Sequence, residues 1–77
     1  MAPKLTFEYD KTGDILYITK VAPYPEQESE ELDDYVIARL NPGTRDVEGV
    51  EVLFFSKRFA DRKLFELPLT ADLHLAV

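Results

Sequence analysis

The run Ile15-Leu16-Tyr17-Ile18 is apolar without a break, and it stands directly after a turn. Those two facts together constrain the chain more than anything else in it. Upstream, Leu5, Phe7 and Tyr9 alternate with Lys4, Thr6 and Glu8, which is the period of a half-buried strand. Asp10 to Gly13 carry turn chemistry. An aspartate at the entry accepts backbone N–H groups two residues on, and Gly13 is expected to take φ > 0 at the exit. The apolar run beyond is short, β-branched and aromatic, so it reads as a strand that needs cover on both faces. The expectation is a hairpin with strands at about 4–9 and 14–20.

Size makes the need for cover acute. Seventy-seven residues give one small domain, 1–77, with a tail at 60–77. A chain of this length buries only about 60% of its unfolded surface. Small scaffolds usually add disulfides, a metal or an oligomer interface. There is no Cys and a single His. Disulfides, thiolate metal sites and a multi-histidine site within one chain are therefore excluded, and neither metal nor cofactor is expected. Self-association is the remaining support, and a homodimer is expected. The lack of Cys fits a reducing compartment. No stretch approaches the roughly 20 apolar residues of a membrane span, and no charged-then-apolar signal segment opens the chain, so the expected location is cytoplasmic.

The formal charge of −6 disfavours a nucleic-acid binder, which needs a basic surface. The charge is also unevenly placed. Glu26, Glu28, Glu30, Glu31, Asp33 and Asp34 crowd one segment, and Lys57, Arg58, Arg62 and Lys63 another. The acidic segment follows two prolines, and residues 21–33 read as a solvated connection without the glycine and ligand spacing of a calcium loop. A third strand is expected at about 34–40, with Tyr35, Ile37 and Arg39 on one face and Val36, Ala38 and Leu40 on the other. Asn41-Pro42-Gly43-Thr44 reads as a type II turn. A fourth strand follows at about 46–54, with Val50, Val52 and Phe54 on one face and Val47, Gly49, Glu51 and Leu53 on the other. Gly49 in mid-strand signals a bulge or a close approach. Residues 55–65 then read as a short helix with Ser56 as N-cap and Phe55 stapled onto Ala60. After Pro68 the leucines recur at mainly even spacing, as an extended segment able to add a strand or to cover the second face of a partner's sheet.

No site of chemistry stands out. Asp10 and Asp14 bracket the first turn and suit capping as well as proton transfer. His74 sits on the polar side of its segment with no nucleophile nearby in sequence. Tyr9, Tyr17, Tyr24 and Tyr35 read as half-buried sheet residues. No Gly-rich phosphate loop or H-E-x-x-H spacing occurs.

A set of short motifs does accumulate: Phe7-Glu8-Tyr9-Asp10, then Thr12-Gly13-Asp14-Ile15-Leu16-Tyr17-Ile18, then Asp33-Asp34-Tyr35-Val36-Ile37-Ala38, and Val47-Glu48-Gly49-Val50-Glu51-Val52-Leu53. Across about residues 5–59 the chain resembles the domain-of-unknown-function 2283 family of small bacterial and archaeal proteins. The resemblance implies a compact four-stranded antiparallel sheet with a helix, and no established activity.

The fold expected is therefore α+β: a four-stranded antiparallel meander in the order 1-2-3-4, with one short C-terminal helix and an extended tail. Three functions follow. The first is a non-catalytic homo-oligomeric interaction module. In it Glu28, Glu30, Glu31 and Asp33 face either a basic partner protein, as in an antitoxin, or the Lys57, Arg58, Arg62 and Lys63 of a neighbouring subunit. The second is a small-ligand binder or enzyme with a dimer-interface pocket built from Tyr35, Arg39 and Glu51. The third is a nucleic-acid contact through the basic segment.

Overall fold

The computed structural model describes residues 4–60 and 66–76. Among these residues the chain forms β1 (Thr6–Asp10), β2 (Ile15–Thr19), β3 (Glu28–Asp33), β4 (Val36–Leu40), β5 (Val47–Leu53) and α1 (Phe55–Phe59). The strands make one antiparallel sheet in the order β1-β2-β5-β4-β3.

The hairpin β1–β2 forms as its pattern dictates, with Phe7 opposite Ile18 and Tyr9 opposite Leu16. Asp10 Oδ1 accepts the N–H groups of Thr12 and Gly13 at 3.0 and 3.2 Å. The left-handed residue of this turn is Asp14 (φ 57), not Gly13. Aspartate tolerates that region better than most side chains, and the bonds described below hold it there.

Two expectations are corrected. The sheet has five strands rather than four, because the acidic segment is itself a strand. Glu28–Asp33 reads as loop because its residues are poor strand formers and only Leu32 is apolar. Pairing with β4 overrides that preference, and the charges then sit on an edge, where water reaches them. The order is also not that of a meander: β2 lies beside β5, with β4 next. This arrangement sets Leu16 against Val52 and Ile18 against Val50, so the most apolar strands are neighbours. The cost is a connection, residues 20–27, that crosses the ends of β5 and β4 to reach β3 at the far edge.

Residues opposite one another in the register share a face. The core face holds Val36, Ala38, Leu40, Val50 and Val52, all buried. Leu16, Ile18, Leu32 and Val47 pack around them, and Phe55, Leu67 and Leu69 close over them. The C-terminal segment therefore covers its own sheet; no strand occurs in 66–76. The second face carries Ile15, Tyr17 and Thr19 of β2, Ile37 and Arg39 of β4, and Glu51 and Leu53 of β5. None of these side chains is buried.

The turns differ in detail from the sequence reading. In the β4–β5 connection Asn41 Oδ1 accepts the N–H groups of Gly43 and Thr44 at 2.8 and 3.0 Å. The left-handed position is Arg45 (φ 66) rather than Gly43, and Arg45 N–H donates to Asn41 O. Asn41 N–H donates to Asp46 O across the loop base, so this is a longer loop than a type II turn. Helix α1 starts at Phe55, one residue before the expected cap, and follows Phe54 at φ 53 with no side-chain cap from Phe54. Tyr24 and Tyr35 lie off the sheet, in the crossing connection and in the β3–β4 turn. Arg62 and Lys63, and most of the second half of the expected helix, lie outside the described residues.

Candidate functional site

Three clusters of polar side chains organise the molecule. The first forms where β5 begins. Arg39 pairs with Gly49 but Leu40 pairs with Val47, so Glu48 is the extra residue of a bulge. A bulge re-aims a side chain, and here it turns Val47, expected on the other face, to the core side opposite Leu40, while alternation from Val50 leaves the Glu48 carboxylate inside as well, 8% exposed. Tyr24 Oη donates to Glu48 Oε1 at 2.5 Å and Gln27 Nε2 to the same oxygen at 3.1 Å. Asn41 Nδ2 donates to Oε2 at 3.3 Å. The main-chain oxygen of Glu48 accepts the N–H groups of Lys20 and Val21. One residue thus ties the crossing connection and the β4–β5 loop to β5. The donated bonds, that of Tyr24 first, hold its carboxyl below the usual range. The same bond pushes the Tyr24 phenol up to about 12.

Sequence reasoning read Tyr24 as a sheet residue, Asn41 as a turn residue and Glu48 as part of a motif, and gave none of them, nor Gln27, a place in such a cluster. One signal was available: Glu48 has the parity of Val50 and Val52, so it places a carboxylate on the apolar side, next to a glycine that announces a bulge.

The second cluster surrounds Asp14. Its Oδ1 accepts Tyr9 Oη at 2.6 Å and Ser56 N–H at 3.0 Å, and its Oδ2 accepts Ser56 Oγ at 2.8 Å. Its main-chain oxygen accepts Phe55 N–H at 3.0 Å. A residue of the first hairpin thus caps a helix 42 positions away, in place of the local Ser56 cap. The Tyr9 bond, then the Ser56 N–H, lowers the Asp14 carboxyl, and Asp14 raises the Tyr9 phenol. Asp10 bonds within its own turn, to the N–H groups of Thr12 and Gly13.

The third cluster lies on the second face of the sheet. Arg39 Nη1 is 4.0 Å from Glu51 Oε2, and the guanidinium stands 6.0 Å from the centre of the Tyr17 ring. The Arg39 side chain passes over Gly49: a Cβ there would meet Arg39 Nε at 3.4 Å. Around this polar centre stand Ile15, Ile37 and Leu53. Tyr35 is not part of it. It sits in the β3–β4 turn at φ 65, and its ring meets Phe54 edge-on at 5.0 Å. Tyr35, Arg39 and Glu51 therefore do not form one cluster; Tyr17 occupies the place expected for Tyr35.

The charged segments meet their own chain. Arg45 Nη1 and Nη2 bind Glu28 and Glu30 at 2.5 and 3.2 Å. Arg58 Nη2 is 3.9 Å from Asp33, and its Nη1 donates to Asp34 O. Lys57 Nζ lies 5.7 Å from the centre of the Phe54 ring. Glu31 is exposed at the edge of the second face. His74 is exposed and 3.3 Å from Asp72. Among the described residues no three acidic or histidine side chains converge to hold a metal ion, and no helix is long and apolar enough to cross a membrane.

The family model described as a protein of unknown function (DUF2283) matches residues 6–56. That match runs from the start of β1 to Ser56, the residue that Asp14 holds, and so spans all three clusters. No curated protein and no solved structure matches the chain.

Proposed function

We propose a role for a chain that belongs to the DUF2283 family of proteins of unknown function: it is a non-catalytic interaction module that acts as a homodimer, seated on the second face of its sheet. The observation that carries this reading is the one-sided cover. A sheet needs a second layer against each apolar face. Phe55, Leu67 and Leu69 supply it on one side. The other side offers Ile15, Tyr17, Ile37 and Leu53, none of them buried.

The occupant proposed is a second copy. The centre of this face holds one arginine and one glutamate, so a two-fold related copy brings Arg39 towards the partner's Glu51 and the reverse, with no net charge to desolvate alone. A basic partner suits it less well, because Glu28, Glu30 and Asp33 already engage Arg45 and Arg58 of the same chain. An enzyme reading has little to stand on: the carboxylates of lowered pKa, Glu48 and Asp14, spend their lone pairs on structural donors.

The test places a charge in the apolar part of the face. Ile37→Glu sets a carboxylate against its own copy and beside Glu51, and the dissociation constant of the dimer rises by at least about 100-fold. Circular dichroism should still report the sheet, since Ile37 is not in the core. A dimer of unchanged affinity in Ile37→Glu removes the reading.

A further inference from the structure

The two edges of the sheet are built differently. β3 presents Glu28, Glu30, Glu31 and Asp33, four carboxylates in six residues. A second copy's β3 beside it would set like charges across the ladder, and charge on an edge is a standing defence against such pairing. The β1 edge carries charges of both signs, Lys4 against Glu8 and Asp10, so an antiparallel copy need not meet like charges. Its core-side stripe of Leu5, Phe7 and Tyr9 is 47, 64 and 43% exposed. Among the described residues no strand faces its outer N–H and C=O groups. The opposite side of the strand alternates Lys4, Thr6, Glu8 and Asp10, with a cation at one end and an anion at the other.

We propose that β1 pairs antiparallel with β1 of a second copy about a two-fold axis at Phe7, joining two sheets into one of ten strands. In that register Phe7 faces the partner's Phe7, Leu5 faces the partner's Tyr9, and Lys4 faces the partner's Asp10. Every apolar residue of the stripe meets an apolar residue, and two opposite-charge pairs close the ends. Sliding one way by two residues sets Glu8 against Glu8. Sliding the other way brings Pro3, which has no N–H, into the ladder. The contact goes beyond the face-to-face dimer and uses different residues. Its axis stands perpendicular to the sheet, whereas the axis relating two packed faces lies in the plane between them. Where the two axes intersect, the two contacts close a tetramer rather than a fibre.

The chain has no cysteine, so single cysteines report the register cleanly. Only a residue on the axis faces its own copy, at a Cβ separation of about 5 Å that a disulfide can span with small adjustment. Oxidised glutathione should link Phe7→Cys into a covalent dimer at least about ten times faster than Leu5→Cys or Tyr9→Cys. The same linkage should persist in the Ile37→Glu background, which separates this contact from the sheet-face dimer. A second variant, Phe7→Glu, should lower the assembly mass by half without loss of the circular-dichroism signal. The proposal is overturned if Phe7→Cys links no faster than its neighbours. It is equally overturned if Phe7→Cys links preferentially to Leu75→Cys in a mixture, which would mean that the C-terminal segment covers this edge instead.

Discussion

Val52 and Leu53 are consecutive on β5 and point to opposite faces, so paired alanine substitutions measure how well each face is covered. Val52 is 1% exposed in the core. Val52→Ala removes two methyl groups, about 1.6 kcal/mol of transfer free energy at ~0.8 kcal/mol per carbon, and the cavity adds roughly 1 kcal/mol. The expected loss is about 2–3 kcal/mol, a large share of the ~4–12 kcal/mol that a chain of this size commands. Leu53 lies on the second face and is half-buried in one protomer. Leu53→Ala removes three carbons. With half their surface already wet, the cost in a lone protomer is about 1 kcal/mol. With a partner over them it rises to about 3 kcal/mol. Urea unfolding at two protein concentrations about a hundredfold apart tells the two cases apart. The dimer requires that Leu53→Ala costs at least as much as Val52→Ala at the higher concentration, and that the wild-type midpoint rises with concentration. A cost near 1 kcal/mol for Leu53→Ala at both concentrations, with a fixed midpoint, would refute the reasoning.

Four other outcomes follow from the polar contacts. The Glu48 carboxyl is held below its ordinary 4.5 in the folded chain, so the unfolded chain binds that proton more tightly. Its stabilisation is fully present above pH 4.5 and fades as pH falls through the lower folded value. Glu48→Gln should therefore be less stable than wild type at neutral pH and lose less on acidification, and parallel acid limbs would count against the cluster. Seen from its partner, the Tyr24 phenol at about 12 should fall back towards 10 in Glu48→Gln, read by ultraviolet titration against Tyr24→Phe. At Asp14, alanine should destabilise more than asparagine, because asparagine keeps an acceptor for Ser56 and tolerates φ 57. Equal losses would show that neither the cap nor the backbone region matters. Arg45→Gln, which frees the exposed Glu28 and Glu30, should cost under about 1 kcal/mol and nothing in high salt; a larger, salt-independent loss would assign the bridge a structural weight that its exposure does not suggest.

The sequence was informative where local chemistry decides and silent where the chain returns on itself. Strands β1, β2, β4 and β5 follow from alternation and from turn residues, and Asp10 and Asn41 cap their turns as their side chains allow. β3 was hidden because Glu28–Asp33 lacks every local mark of a strand. Its state is set by β4, which it reaches only through a crossing connection. The strand order was hidden for the same reason, since no local pattern says that β2 prefers β5. Asp14 was legible as a turn residue but not as the cap of a helix 42 residues on. Glu48 was legible in part: its parity with Val50 was there to be read, but its partners Tyr24 and Gln27 come from a segment that looks like featureless loop. In each case what was missed is a long-range pairing that no window of neighbouring residues contains.

Sedimentation equilibrium of the unmodified chain, from about 1 to several hundred micromolar, bears most directly on self-association. One chain weighs 8.8 kDa. The account predicts whole multiples of that mass at the upper end, dissociating on dilution and insensitive to moderate salt. A single species of 8.8 kDa across the full range would contradict it.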